Sequence, residues 1–132
     1  RLLPSFRALT DAFWPGPLTI ILPKRETLPA IVTAGGDTVA LRIPDHPVAL
    51  ELLRLVDAPL AVTSANLSGQ PPARTAQEAR TQLDGRVDAI VDGGVAPGGE
   101  PSTLLDLTRS PCVILRRGPV TEARIRAVLA SD

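Results

Sequence analysis

Apolar residues at Leu2, Phe6, Leu9, Ala12 and Phe13 recur every three to four positions, which predicts a helix over residues 3–13. Pro15-Gly16-Pro17 stops it. Residues 18–22 form a short apolar run between Pro17 and Pro23 and read as a strand. A second strand is expected over 38–43, between Gly35-Gly36-Asp37 and Pro44, with a single helical turn over 28–32 before it. Pro47 suits a first helical turn, and Val48, Leu52, Leu53, Leu55 and Val56 carry that helix to about Asp57, with Asp45 or His46 placed to cap it. Leu60-Ala61-Val62-Thr63 lacks alternation and predicts a strand covered on both faces, released into Ser64-Ala65-Asn66-Leu67-Ser68-Gly69. Beyond Pro71-Pro72, Thr75 and Glu78 have capping-box spacing for a helix reaching about Leu83.

The remaining pattern is a strand over 87–91, a loop through Asp92-Gly93-Gly94 and Pro97-Gly98-Gly99, strands over 102–107 and 112–116, and a closing helix carrying Ile125, Val128 and Leu129 after Thr121. The glycines of that loop permit positive φ or close approach of a ligand to the backbone. The last two strands lie close enough to pair as a hairpin around Arg109-Ser110-Pro111. Interleaved but not strictly alternating strands and helices predict an α/β fold of α+β character, a twisted mixed sheet flanked by helices. With no internal repeat, residues 1–132 read as one domain.

Composition narrows the chemistry. Fourteen basic and fourteen acidic residues cancel, so no global field draws the chain to a polyanion, and any anion site is local. Lys24 is the lone lysine; the arginine bias reflects either genomic base composition or selection for bidentate anion recognition. A single cysteine, Cys112, excludes an internal disulfide and a cysteine zinc site and fits a reducing, cytoplasmic setting. It lies in the apolar run Pro111-Cys112-Val113-Ile114-Leu115 and reads as core. One histidine, His46, leaves little for a metal cluster or a Ser-His-Asp triad, and no metal ligands are assigned. No apolar run approaches the roughly 20 residues that span a bilayer, so no membrane partner is expected. The chain opens on Arg1 within a helical pattern, which suggests a fragment.

The polar groups of interest gather where strands end. Ser64 and Asn66 leave the apolar run 60–63 among small residues, and ligands of α/β sheets favour strand ends. They offer neutral hydrogen bonds to phosphate, ribose or carboxylate, and read equally as an Asx or Ser turn. The motif lacks the glycine spacing and lysine of a P-loop. Gly98-Gly99-Glu100-Pro101-Ser102-Thr103 places hydroxyls at a strand entry. Arg42, flanked by Leu41 and Ile43, either snorkels at a sheet face or holds an anion. Arg116 and Arg117 end the last strand, as phosphate ligands or a solvated end. Asp45 and His46 form an acid–base pair on one reading and a helix cap on the other.

Three segments in this order, Phe13-Trp14-Pro15-Gly16-Pro17-Leu18-Thr19, Val39-Ala40-Leu41-Arg42-Ile43-Pro44-Asp45-His46-Pro47 and Ser64-Ala65-Asn66-Leu67-Ser68-Gly69, resemble the Sua5/YrdC/YciO family. Pro101-Ser102-Thr103-Leu104-Leu105-Asp106 and Ile114-Leu115-Arg116-Arg117-Gly118 continue the resemblance, with Arg117 where the family usually has proline.

The resemblance implies a YrdC-like fold and a nucleotidyltransferase. L-threonine, bicarbonate and ATP, the last with Mg²⁺, would give threonylcarbamoyl-AMP and pyrophosphate for the t6A modification of tRNA. Carried over by position, Thr38, Ser64, Asn66 and Arg116 would contact ATP. Arg42, Ser102 and the backbone at Val62 would hold threonine, and no residue is assigned as catalytic. The resemblance favours Arg42 over Arg117. The family's N-terminal Thr-x-Thr-x-Tyr-Gly-Leu strand and Lys-x-Arg motif have no counterpart here, so these residues read as the C-terminal two-thirds of the domain, inactive alone. A downstream t6A transferase complex is the implied partner. The rival readings are a double-stranded RNA or tRNA-binding accessory, a YciO-like paralogue, or the carbamoyl-adenylate module of a hydrogenase maturation protein.

Overall fold

A computed structural model of the chain describes residues 4–96 and 100–130; Leu2, Leu3 and the Pro97-Gly98-Gly99 part of the glycine loop lie outside the described residues. The chain divides into two compact units, one of Arg1–Asp57 with Glu100–Asp132 and one of Ala58–Gly99.

The first unit is a four-stranded sheet with helices. Its elements are α1 (Pro4–Phe13), β1 (Leu18–Pro23), β2 (Thr38–Leu41), α2 (Pro47–Val56), β3 (Thr103–Asp106), β4 (Val113–Arg116) and, numbered after α3 (Ala76–Leu83) of the second unit, α4 (Glu122–Leu129). The strand order is β2-β1-β3-β4. β1 and β3 run parallel, while β1–β2 and β3–β4 are antiparallel, the latter the expected hairpin. This is a mixed α/β sheet, as the pattern predicts.

One face of the sheet is dry. Leu9 and Phe13 of α1, Leu18 and Ile20 of β1, Leu105 of β3, Val120 and Ile125 of α4 form its buried core. Thr103 points into the same core, where its hydroxyl donates to the Val120 carbonyl (2.8 Å) and accepts from the Val120 amide (3.1 Å), so a polar side chain is buried without loss. Alternation then dictates the other face: Thr19, Ile21 and Leu104 lie between the buried positions of their strands and are only half-buried.

Helix ends follow the sequence signals in part. Thr75 and Thr121 accept from Glu78 N (3.1 Å) and Arg124 N (3.4 Å) as N-caps. The Glu78 carboxylate accepts from Arg74 N (2.7 Å), one residue before the cap, instead of closing the reciprocal box. His46 holds the N-cap position of α2 and Pro47 its first turn, but no side chain caps it. Cys112 is half-buried at the margin of the core.

Asp106 closes β3 on a satisfied carboxylate. It accepts from the Thr108 hydroxyl (2.6 Å) and amide (2.9 Å) and from Arg109 Nε (3.1 Å). The Thr108 bonds, first the hydroxyl and then the amide, hold its carboxyl below the usual carboxylate range, with Arg109 adding to them. A depressed folded-state pKa stabilises above the unfolded value near 4 and is lost as pH falls through the folded one. Asp106→Asn is therefore expected to lower the thermal midpoint at pH 7, with the gap from wild type closing as unfolding is followed down to pH 2–3. A gap independent of pH would contradict it.

The second unit, taken by itself, contains α3 (Ala76–Leu83) and otherwise irregular chain. The strands expected over 60–63 and 87–91 do not form. Val62 is 85% exposed and Val91 63%, the reverse of strands covered on both faces. The physical reason is pairing: an apolar β-branched run is a strand only beside a partner that satisfies its backbone groups, and the described residues of this unit provide none.

Candidate ligand site at one end of the sheet

Strand direction gathers the site. β1 and β3 begin, and β2 and β4 end, at the same edge of the sheet, because Leu18 pairs with Thr103, Ile20 with Leu41, and Leu104 with Arg116. Arg42 follows β2, Ser102 precedes β3, Arg116 ends β4, and Thr19 stands near the start of β1. The last β1–β2 pair is Ile20–Leu41, and Thr19 and Arg42 are the next residues of their segments toward this end.

The segment between α1 and β1 is stitched to both neighbouring strands. Trp14 Nε1 donates to the Leu18 carbonyl (2.7 Å), and the indole packs edge-on against Phe6 at 5.7 Å. The Gly16 amide donates to the Ile43 carbonyl (2.9 Å), and the Thr103 amide to the Pro17 carbonyl (2.9 Å). A Cβ at Gly16 would run into the Phe13 carbonyl, so this close turn requires glycine.

On this frame the polar side chains meet. Arg42 Nε donates to the Gly16 carbonyl (2.9 Å). Arg116 donates through Nε to the Ser102 carbonyl (3.0 Å) and through Nη2 to its Oγ (3.2 Å). Ser102 Oγ lies 2.7 Å from Thr19 Oγ1. Thr19, Ser102 and Arg116 thus form a hydrogen-bonded row across β1, β3 and β4, and Arg42, held by Gly16 ahead of β1, stands at the exit of β2 at the same end. Arg54, Arg109 and Arg126 are engaged by carboxylates, whereas Arg42 and Arg116 are held by neutral oxygens and have no acidic partner among the described residues. Two guanidinium charges fixed by neutral acceptors, with hydroxyls between them, make a site suited to anions.

The other candidates lie elsewhere. Thr38 opens β2 opposite Pro23, four residues and roughly 13 Å along the strand from Arg42. Arg117 leaves the row, since it lines a cleft of about 670 Å³ between β4 and α4 with Cys112, Ile114, Glu122, Arg126 and Leu129. Asp45 and His46 make no bond with each other among the described residues.

In the second unit, the loop carrying Ser64 and Asn66 is folded on itself. The Asn66 amide donates to the Ser64 carbonyl (3.1 Å) and the Ala73 amide to the Ala65 carbonyl (2.9 Å). The Leu67 amide donates to Gln82 Oε1 (2.9 Å). Asn66 Nδ2 donates to the Leu67 carbonyl (2.8 Å), while its Oδ1 is buried without a partner among the described residues. Asn66 therefore keeps an unpaired acceptor and a second Nδ2 proton; the acceptor suits ribose hydroxyls or an adenine amino group, and the remaining N–H a phosphate oxygen. Val62 is exposed.

Thr19 is a member of this site that no motif in the sequence marks. Its signal was the lone polar position in Leu18-Thr19-Ile20-Ile21-Leu22, off the buried register, but nothing local indicates a partner 83 positions away.

Among the described residues no group of three or more His, Cys, Asp or Glu side chains is arranged to hold a metal ion. No described helix is long and apolar enough to cross a membrane.

Residues 3–118 match the Sua5/YciO/YrdC family model, described as "Telomere recombination". The chain is 44% identical over 121 residues to threonylcarbamoyl-AMP synthase of Pyrococcus abyssi, covering 92% of the chain and 36% of that protein. It is 48% identical over 124 residues to the synthase of Bacillus subtilis, covering 93% and 36%. Among solved structures, P. abyssi Sua5 complexed with L-threonine matches 98% of the chain and 38% of its own length, with a TM-score of 0.91 and 41% identity. YciO of E. coli matches 86% of the chain and 55% of its own, with a TM-score of 0.74 and 31% identity. The chain thus spans little more than a third of the length of these synthases. A family match over most of the residues, with the fold to accompany it, means that this chain belongs to the Sua5/YciO/YrdC family.

Proposed function

We propose that the chain serves in a threonylcarbamoyl-AMP synthase, holding L-threonine at the sheet edge for reaction with bicarbonate and ATP. The observation that carries this reading is a pair of guanidinium groups at one end of the sheet, Arg42 and Arg116, without carboxylate partners among the described residues, with the Ser102 and Thr19 hydroxyls in a hydrogen-bonded chain from Arg116. Identity of 44–48% to proteins named for that activity supports it over a YciO-like role, where identity is 31%. The balanced charge of the chain gives no support to a general RNA-binding role.

In the reaction, the threonine amine and bicarbonate form a carbamate with loss of water. A carbamate oxygen then bonds to the α-phosphorus of ATP as the bond to the β-phosphate oxygen breaks, and pyrophosphate leaves. The residues act by position and charge. The Arg42 guanidinium pairs with the threonine carboxylate, and Ser102 lines the amino-acid pocket. Arg116 meets the α-phosphate, where charge builds. Ser64 adds a hydroxyl to the nucleotide, Asn66 accepts from its ribose or base, and Thr38, at the far end of β2, serves the nucleotide. Mg²⁺ bound with ATP would supply charge neutralisation on its phosphates. The product would pass, in the cytoplasm, to the transferase complex that modifies tRNA.

The test is pyrophosphate release by the full-length protein. Release that requires ATP, bicarbonate and L-threonine together is expected. Release indifferent to threonine would refute the assignment.

A further inference from the structure

Proton bookkeeping along the row points to a residue whose part in the chemistry is unassigned. A hydroxyl has one proton to donate and two lone pairs to accept with. Ser102 Oγ already accepts from Arg116 Nη2 at 3.2 Å, and arginine can only donate. The 2.7 Å contact between Ser102 Oγ and Thr19 Oγ1 holds one proton, supplied by one hydroxyl or the other. Two hydroxyls with one proton between them leave one O–H free to turn outward.

Accessibility decides which oxygen presents it. Ser102 is 7% exposed and already meets Arg116 and Thr19, while Thr19 is half-buried on the open face of the sheet. If Ser102 donates to Thr19, the Thr19 proton is the free one, at the end of the sheet where Arg42 follows the last β1–β2 pair, Ile20–Leu41. Arg116 favours that polarity, because its charge beside Ser102 Oγ makes the serine proton a better donor.

We propose that Thr19 is a substrate-binding residue: its hydroxyl, polarised through Ser102 by Arg116, donates to the threonine carboxylate that Arg42 pairs with. The assignment rests on the threonine site proposed above. It gives the carboxylate a neutral donor on β1 beside the charged one on β2, and it links the amino-acid pocket to the nucleotide-facing Arg116 through a single chain of hydrogen bonds.

Thr19→Val removes the hydroxyl and Thr19→Ser keeps it. In the full-length protein, pyrophosphate release is measured against threonine and against ATP for both variants and wild type, together with thermal midpoints. A donor to a carboxylate predicts a threonine KM raised about tenfold in Thr19→Val, with kcat and the ATP KM within about twofold, and Thr19→Ser within about twofold throughout. If Thr19→Val does not fold, Thr19→Cys, a weak donor of similar size, carries the same expectation. A threonine KM unchanged by loss of the hydroxyl overturns the proposal. So does an equal rise for both substrates with a lowered midpoint, which marks a purely structural role. Wild-type protein lacking threonine-dependent release overturns the proposed function and this inference with it, whereas an active wild type with an indifferent variant overturns Thr19 alone.

Discussion

Arg42→Ala is expected to raise the threonine KM about 100-fold while leaving the ATP KM within about twofold, a loss of roughly 3 kcal/mol in charge-assisted hydrogen bonding. The structure explains why the effect should be so selective. Arg42 spends Nε on the Gly16 carbonyl, which fixes the plane of the guanidinium, and no described carboxylate competes for its charge. A substrate carboxylate therefore gains a pre-positioned partner. The same variant leaves the buried Gly16 carbonyl without its donor, which adds a stability loss of about 1 kcal/mol, visible as a lower thermal midpoint. Arg42→Lys separates the two, because an ammonium keeps the charge but cannot serve Gly16 and a carboxylate in one plane. Its threonine KM should fall between wild type and Arg42→Ala. Steady-state kinetics in both substrates decide the matter, and a parallel rise in both KM values would argue that the side chain only shapes the fold.

Gly118→Ala should damage stability and the site together. A Cβ at Gly118 would meet the Pro101 carbonyl oxygen, the Thr103 amide nitrogen at 2.5 Å and the Ser102 carbonyl carbon at 2.8 Å. All three are backbone atoms at the entry to β3, which cannot swing aside as a side chain would. Relief requires β4 and its exit to part from residues 101–103, the contact on which the Arg116–Ser102 bonds depend. Overpacking of this kind costs about 2–3 kcal/mol, equivalent to a fall of roughly 10 °C in thermal midpoint for a chain of this size. Denaturation read beside turnover provides the check. The expected variant is both less stable and weaker for both substrates, since on the proposed function Ser102 and Arg116 serve different ones. A midpoint within about 2 °C of wild type would show that the backbone adjusts there at little cost.

The parts of this molecule legible in its sequence are those set by short-range rules. Proline and glycine punctuation bounded α1 and β1, the Thr75 cap marked the start of α3, and the spacing of residues 102–107 and 112–116 gave the hairpin. Residues 60–63 and 87–91 were misread because an apolar run specifies burial without specifying a partner, and here Val62 and Val91 stay exposed. The row at the sheet edge was half legible. Arg42, Ser102 and Arg116 stand out as polar groups at strand ends, but their meeting depends on β1 and β3 being parallel neighbours, a contact across more than 80 residues that no local pattern encodes. Thr19 was invisible for the same reason. The acceptor character of Asn66 depends on which way its amide is held, and only the Leu67 carbonyl reveals that.

On the proposed function, threonine binds by its carboxylate at the end of the sheet that carries Arg42, Thr19 and Ser102. In a crystal structure of the full-length protein with L-threonine, the carboxylate is expected about 3 Å from the Arg42 guanidinium, with Thr19 Oγ1 within hydrogen-bond distance and the Arg42–Gly16 bond kept. Threonine bound away from this row, with Arg42 facing solvent, would contradict it.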